Sequence, residues 1–138
     1  MKNGAVHFSS AKADWATPSH VYEALDREFS FTLDPCRLGD EGGLFGQRDG
    51  LLMSWAGERV FCNPPYGPTI PDWLTKGLDA DLAIYLLPSR TDTRWFHDHC
   101  LRFAHEIRFV RGRLKFGGSP NSAPFPSMVV IYRKGGVR

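Results

Sequence analysis

The sequence predicts an α/β fold: a mostly parallel, doubly wound sheet with helices on both faces. Three observations carry this. Short apolar runs alternate with amphipathic segments of roughly ten residues, the rhythm of βαβ units. One run, "DLAIYLLP", is almost continuously apolar, as suits a strand buried on both faces. Three segments, "LDPC", "CNPPY" and "LPSR", end on polar or rigid residues. In such sheets ligands lie beyond the C-terminal strand ends, so this convergence marks a site.

Each element has its own signal. Residues 1–13 are polar and are expected to form a mobile N-terminal segment. "TPSHVYEALDREF" reads as a helix capped by Thr17, with Pro18 at its first position and Val21, Tyr22, Leu25 and Phe29 at helical spacing. "SFTLDP" reads as a strand ended by Pro35. Residues 37–50, rich in glycine and charge, read as loop. "RVFCN" is a second strand, "IPDWLTKGL" a short helix opened by Pro71, and "DLAIYLLP" a third strand. "DTRWFHDHCLRFA" reads as an amphipathic helix with Trp95, Phe96, Cys100 and Phe103 inward. "EIRFV" is a strand, "RGRLKFGGSPNSAPFPS" a loop or hairpin, and "SMVVIYR" a closing strand.

Composition sets the surroundings. The 138 residues suit one domain, 14–138, with a single core. No apolar run approaches the roughly 20 residues that span a bilayer, and "MKNGAVHFSS" lacks a signal-peptide core. Cys36, Cys62 and Cys100 are odd in number and widely spaced, which points to a reducing cytoplasm and no disulfide framework. Net charge is +2, unevenly spread. Residues 1–89 hold 7 Lys/Arg and 12 Asp/Glu; residues 90–138 hold 10 and 3. The basic half suggests a face for a polyanion; a merely solvated surface is the plainer reading.

The stretch "VFCNPPYG" carries the chemistry. Asn63 leaves a strand with a side-chain oxygen able to accept. Pro64 and Pro65 stiffen the backbone, and the Pro64 carbonyl gives a second acceptor. The pair suits a planar amino group with two hydrogens to donate, and Tyr66 offers a ring on which a base can stack. Drawing on both hydrogens helps an exocyclic amine pyramidalise and attack a sulfonium methyl. A proline-rich turn with an asparagine cap is the alternative. "HDHC" is not read as a metal site, because His97 and His99 diverge on a helix and no second ligand cluster follows.

The chain resembles the phage and prophage DNA N6-adenine methyltransferase (Dam-like) family. The resemblance rests on "WATP", "FTLDPC", "DGLLMSW", "VFCNPPYG", "LLPSRTDTRWFH", "GRLKFGG" and "APFPS", over roughly residues 14–132. It implies a reduced Rossmann-like fold dependent on S-adenosylmethionine, acting on DNA in a bacterial host's cytoplasm. Asn63, Pro64, Pro65 and Tyr66 would be catalytic. Trp15, Thr17, Pro18, Asp34, Pro35, Cys36 and Asn63 would border the cofactor, with Asp34 on its methionine amino group or a bridging water. Larger methyltransferases carry a glycine-rich loop and a ribose-binding acid after the first strand. Here the segment between Cys36 and the NPPY strand is short, and Asp49 is the best ribose candidate, ahead of Asp40 and Glu41. No separate target-recognition domain is expected, so DNA contacts would fall to Arg90, Arg94, Arg111, Arg113 and Lys115. Phe116 or Phe125 would pack against an extruded adenine, or would simply fill the core beneath a long loop. RNA or protein glutamine as acceptor, and a catalytically idle nucleic-acid binder, are the competing readings.

Overall fold

The computed structural model describes residues 15–36, 47–117 and 119–135, with the side chains of residues 47–49 excepted. The N-terminal segment expected to be mobile, and most of the loop expected over 37–50, lie outside the described residues. Helix α1 spans Ser19–Phe29 and helix α2 Gln47–Leu52. Strand β1 (Arg59–Cys62) follows, then helix α3 (Ile70–Lys76) with a 3₁₀ turn at Gly77–Asp79. Strand β2 (Leu82–Pro88) precedes a π-helical segment, Phe96–Leu101; β3 (Glu106–Phe109) and β4 (Ser127–Arg133) complete the order.

The four strands form one mixed sheet in the order β1-β2-β4-β3. β1 pairs β2 in parallel, Arg59 opposite Leu82 and Cys62 opposite Tyr85. β4 lies antiparallel to both β2 and β3. The expected mostly parallel sheet is therefore corrected: two of its three ladders are antiparallel. The connection explains this. A parallel return needs a crossover, usually a helix, whereas residues 110–126 contain no helix among the described residues and bring β4 back between β2 and β3.

The strand expected over "SFTLDP" reduces to one parallel bridge, Leu33 to Val60. Ser30 holds a left-handed φ of 55° and Pro35 follows five residues later, leaving no room for a longer ladder. The loop expected over 37–50 gives way to helix from Gln47. Gly50 is buried there, and a Cβ on it would strike the Pro35 carbonyl and the Trp73 ring. The residue that suggested loop is what lets α2 approach so closely.

Helical structure runs over 94–103, with the π-helical segment inside it. Phe96 and Cys100 point inward as expected and Trp95 is half-buried, but Phe103 is 38% exposed and Ala104 is buried instead. A wider turn shifts the phase of every later side chain. The Tyr132 hydroxyl donates to the His99 carbonyl at 2.6 Å, so a carbonyl within that turn is satisfied from the sheet.

β2 is buried along its whole length, as its continuous apolar run requires. One sheet face carries Val60, Cys62, Ala83, Tyr85, Leu87, Met128 and Val130 against Trp73, Leu74, Phe96 and Cys100. The other carries Phe61, Ile84, Leu86, Val129 and Ile131 against Leu25 and Phe29 of α1. The loop before β4 adds Leu114, Phe116 and Phe125 to that second face. Helical segments thus cover both faces and leave the C-terminal ends of β1 and β2 beside the polar turns.

Candidate active site

Asn63 follows the last residue of β1, where the ladder to β2 ends and the chain turns at Pro64. Its Nδ2 donates to the Trp15 carbonyl and, at 2.9 Å, to Thr17 Oγ1. A backbone carbonyl only accepts, so the amide orientation is fixed by chemistry. Oδ1 then faces the other way. It is buried and, among the described residues, has no hydrogen-bond partner. A buried acceptor left unpaired costs about 1–3 kcal/mol, a cost that a donor from outside would relieve.

Thr17 does not cap α1, contrary to expectation. Pro18 occupies the N-cap with extended backbone (ψ 135°), and no side chain caps the helix. The Thr17 hydroxyl is turned to Asn63 instead.

A cavity of about 570 Å³ opens beside Asn63, lined by Thr17, Tyr22, Thr32, Asp34 and Cys36 among others. Four sequence candidates thus converge on one space: Thr17, Asp34, Cys36 and Asn63. Trp15 touches Asn63 through its carbonyl, and Pro18 and Pro35 are buried next to lining residues. The side chain of Asp49 lies outside the described residues, as do Asp40 and Glu41. Ser19, Tyr22, Phe31 and Thr32 also line the cavity and were not singled out. A signal existed for two of them: Ser19 and Tyr22 stand three apart on the first turn of α1, hence on one face with Thr17 just before. Phe31 and Thr32 read only as strand.

Cys36 and Cys62 approach to 3.0 Å between sulfurs, and both are free thiols. Burial, then the contact with Cys36, pushes the Cys62 thiol well above its usual pKa, so it stays protonated. Cys36 forms part of the cavity wall.

Tyr66 donates its hydroxyl to the Leu86 carbonyl at 3.0 Å, and burial raises the phenol's pKa. Its ring meets Phe116 and Phe125 edge-on, with centroids at 6.4 and 5.7 Å. Trp15 meets the same two rings at 5.4 and 5.2 Å. Phe116 and Phe125 are buried, so in this state both fill the core beneath the loop. Four separate motifs, WATP, NPPY, GRLKF and APFPS, meet in this aromatic cluster. The Arg90 guanidinium lies 5.8 Å from the Phe125 centroid, at the cluster's border. Arg94, Arg111, Arg113 and Lys115 are exposed. In 113–116, Arg113 and Lys115 alternate with buried Leu114 and Phe116, which turns the two cations outward.

Among the described residues, no group of His, Cys, Asp and Glu is arranged to hold a metal ion, and no helix is long and apolar enough to cross a membrane.

The NPPY turn leaves a strand of a mixed α/β sheet beside a cavity, where the resemblance to amino methyltransferases leads one to expect it. The family is more specific: a family model described as DNA N-6-adenine-methyltransferase (Dam) matches residues 6–135, and the chain belongs to that family. It is, in general terms, a DNA adenine methyltransferase. No curated protein and no solved structure gives a match.

Proposed function

We propose that this chain transfers a methyl group from S-adenosylmethionine to N6 of adenine in DNA, with Asn63 as the acceptor for the target amine. The observation that carries the reading is the buried, unpartnered Oδ1 of Asn63, whose amide is already anchored through its nitrogen.

The cavity suits the methyl donor. Its volume falls within the usual range for small-molecule sites, about 300–1,000 Å³. Asp34 supplies a carboxylate for an ammonium group, and the N-terminal end of α1, with Ser19 on the lining, is the positive end of the helix dipole and favours a carboxylate. Tyr22 and Phe31 offer rings to a planar base. Asp34 would hold the donor, Thr17, Cys36, Asn63, Trp15, Pro18 and Pro35 would shape the wall of its space, and Asp49 is the candidate for its ribose. When bound, S-adenosylmethionine supplies an electrophilic methyl on a sulfonium.

The chain's own residues do the rest. Asn63 Oδ1 and the Pro64 carbonyl accept hydrogen bonds from the two N6 hydrogens and favour a pyramidal nitrogen whose lone pair is free to attack. As the N–C bond forms, the methyl's bond to sulfur would break to leave a thioether, and the surplus N6 proton would pass to water. Pro65 keeps the turn stiff. Tyr66, its hydroxyl tied to Leu86, presents a ring of fixed orientation for the adenine. Because Oδ1 is buried, covering side chains would have to move to admit an extruded base; Trp15, whose carbonyl holds the amide, packs with Phe116 and Phe125 beside it. Arg90, Arg94, Arg111, Arg113 and Lys115 would meet phosphates. In this reading the sheet is a reduced Rossmann-like core within one catalytic domain, 14–138, acting in the cytoplasm. The intact cavity and anchored amide argue against an idle binder, and the family argues for DNA over RNA or protein glutamine.

The test is incubation with methyl-labelled S-adenosylmethionine and unmethylated DNA, followed by nucleoside analysis. N6-methyladenine should form. Asn63→Ala should abolish it while donor affinity, by calorimetry, stays within about fivefold. Label in RNA or protein alone, or near-normal turnover by Asn63→Ala, would overturn the reading.

A further inference from the structure

We infer that Thr17 is a positioning residue for Asn63: its hydroxyl, with the Trp15 carbonyl, sets which end of the amide meets the target amine. This rests on the reading of Asn63 as acceptor and gives Thr17 a task distinct from lining the donor cavity.

A primary amide has two N–H donors, and here both are committed, one to the Trp15 carbonyl and one to Thr17 Oγ1. Rotated half a turn, the amide would set Oδ1 against the Trp15 carbonyl and offer a donor to a substrate amine that is itself a donor. Both consequences are unfavourable, so the pair of acceptors selects the productive orientation. Acceptors on both N–H groups also push density toward the nitrogen and on into the carbonyl, which makes Oδ1 the stronger acceptor.

The bracket is itself held firmly. Thr17 precedes Pro18, which restricts its backbone to extended conformations. The Trp15 ring packs against Phe116 and Phe125. Between them, the Ala16 carbonyl accepts from Gly117 N–H at 2.9 Å. Residues 15–17 are therefore pinned from the loop before β4, while their polar atoms reach the end of β1. Because Thr17 also lines the cavity, one residue touches both the donor's space and the amide that would bind the acceptor base.

The experiment compares Thr17→Val, which keeps the shape and loses the hydroxyl, with Thr17→Ser, which keeps the hydroxyl. The readouts are kcat at saturating donor and DNA, donor Kd by calorimetry, and thermal midpoint. Thr17→Val should lower kcat by about ten- to a hundredfold, the effect of one unpaired amide hydrogen. Donor Kd should change by less than about threefold, and Thr17→Ser should restore kcat to within about threefold of wild type. Unchanged kcat with a matching rise in donor Kd would make Thr17 a donor ligand and overturn the inference. So would equal losses in Val and Ser variants that track a lowered thermal midpoint. Asn63→Ala separates the two levels. If it keeps turnover, the parent reading fails whatever Thr17 does. If it is inactive while Thr17→Val works normally, only this inference fails.

Discussion

Replacing Asn63 by aspartate keeps the shape and the acceptor oxygen and removes only the N–H donors. On charge alone the carboxylate is the better acceptor for an amine. The surroundings predict the opposite outcome. Ionised, the new oxygen faces the Trp15 carbonyl, which accepted a hydrogen bond from Nδ2 and now meets negative charge. Thr17 can turn its hydroxyl to donate and recover one contact. The other bond is lost, a buried carbonyl is unpaired, and a charge is desolvated. Counting about 1 kcal/mol for the bond and about 1–3 kcal/mol for the orphaned carbonyl, the loss is roughly 2–4 kcal/mol. If it falls on the transition state, kcat drops by about 30- to 800-fold near neutral pH.

A proton reverses the effect. Protonated aspartic acid donates its O–H to the Trp15 carbonyl and keeps the other oxygen as acceptor. Both the carbonyl and burial raise the folded-state pKa above the ordinary value of about 3.9. A raised folded pKa means that the favourable form is complete at low pH and is lost as pH climbs through that pKa. The ratio of Asn63→Asp to wild-type turnover should therefore rise as pH falls. The thermal midpoint of the variant, relative to wild type, should follow the same direction. The assay is methyl transfer at saturating donor and DNA, from about pH 5 to about pH 8.5. A ratio near one, or a large loss that is flat with pH, would refute the role given to the two amide hydrogens.

Three further outcomes are expected. Tyr66→Phe should keep activity within a few-fold and cost about 1 kcal/mol of stability through its lost bond to Leu86, whereas Tyr66→Ala should lose about ten- to a hundredfold in activity. Equal rates for the two, measured below both thermal midpoints, would remove the stacking role. Asp34→Ala should weaken donor binding by about ten- to a hundredfold, the effect of one charge-assisted hydrogen bond; an unchanged calorimetric Kd would place the ammonium elsewhere. Arg111→Ala and Arg113→Ala should each flatten the slope of log affinity against log salt by about one unit, and a DNA affinity indifferent to salt in the wild type would contradict a phosphate-based interface.

The sequence was most legible where burial is extreme. β2 and β4 match their apolar runs, because a strand covered on both faces needs apolar residues throughout. It was least legible where packing decides between near-equal backbones. Phe96, Cys100 and Phe103 fit an α-helix, and nothing in that spacing marks a π-helical segment that turns Phe103 outward. Gly50 read as loop because its real partner, the Pro35 carbonyl, is fifteen residues away. The direction of β4 did leave a trace: residues 110–126 are dense in Gly, Pro and Ser and contain no crossover pattern. The candidate site was legible in part: Asp34, Cys36 and Asn63, from LDPC and CNPPY, line one cavity with Thr17, while no residue of LPSR is on that lining. The bond from Asn63 to Thr17 was not legible, since it joins residues 46 apart and no local rule pairs them.

β3 forms the sheet's outer edge beside β4. An unpaired edge is a template on which a second copy of the same chain can add a strand. This edge is only four residues long, and Phe109 at its end is 63% exposed, which would make it adhesive. Arg108 counters that. Its guanidinium grips both oxygens of Glu28 at 2.7 Å and Glu106 at 2.8 Å, and both acids are held below their usual pKa by that contact. An incoming strand would lie beside this charged clasp and lower its exposure to water. The same clasp ties the last turn of α1 to the sheet, so charge placed beside an open edge also holds the helix whose first turn borders the cavity.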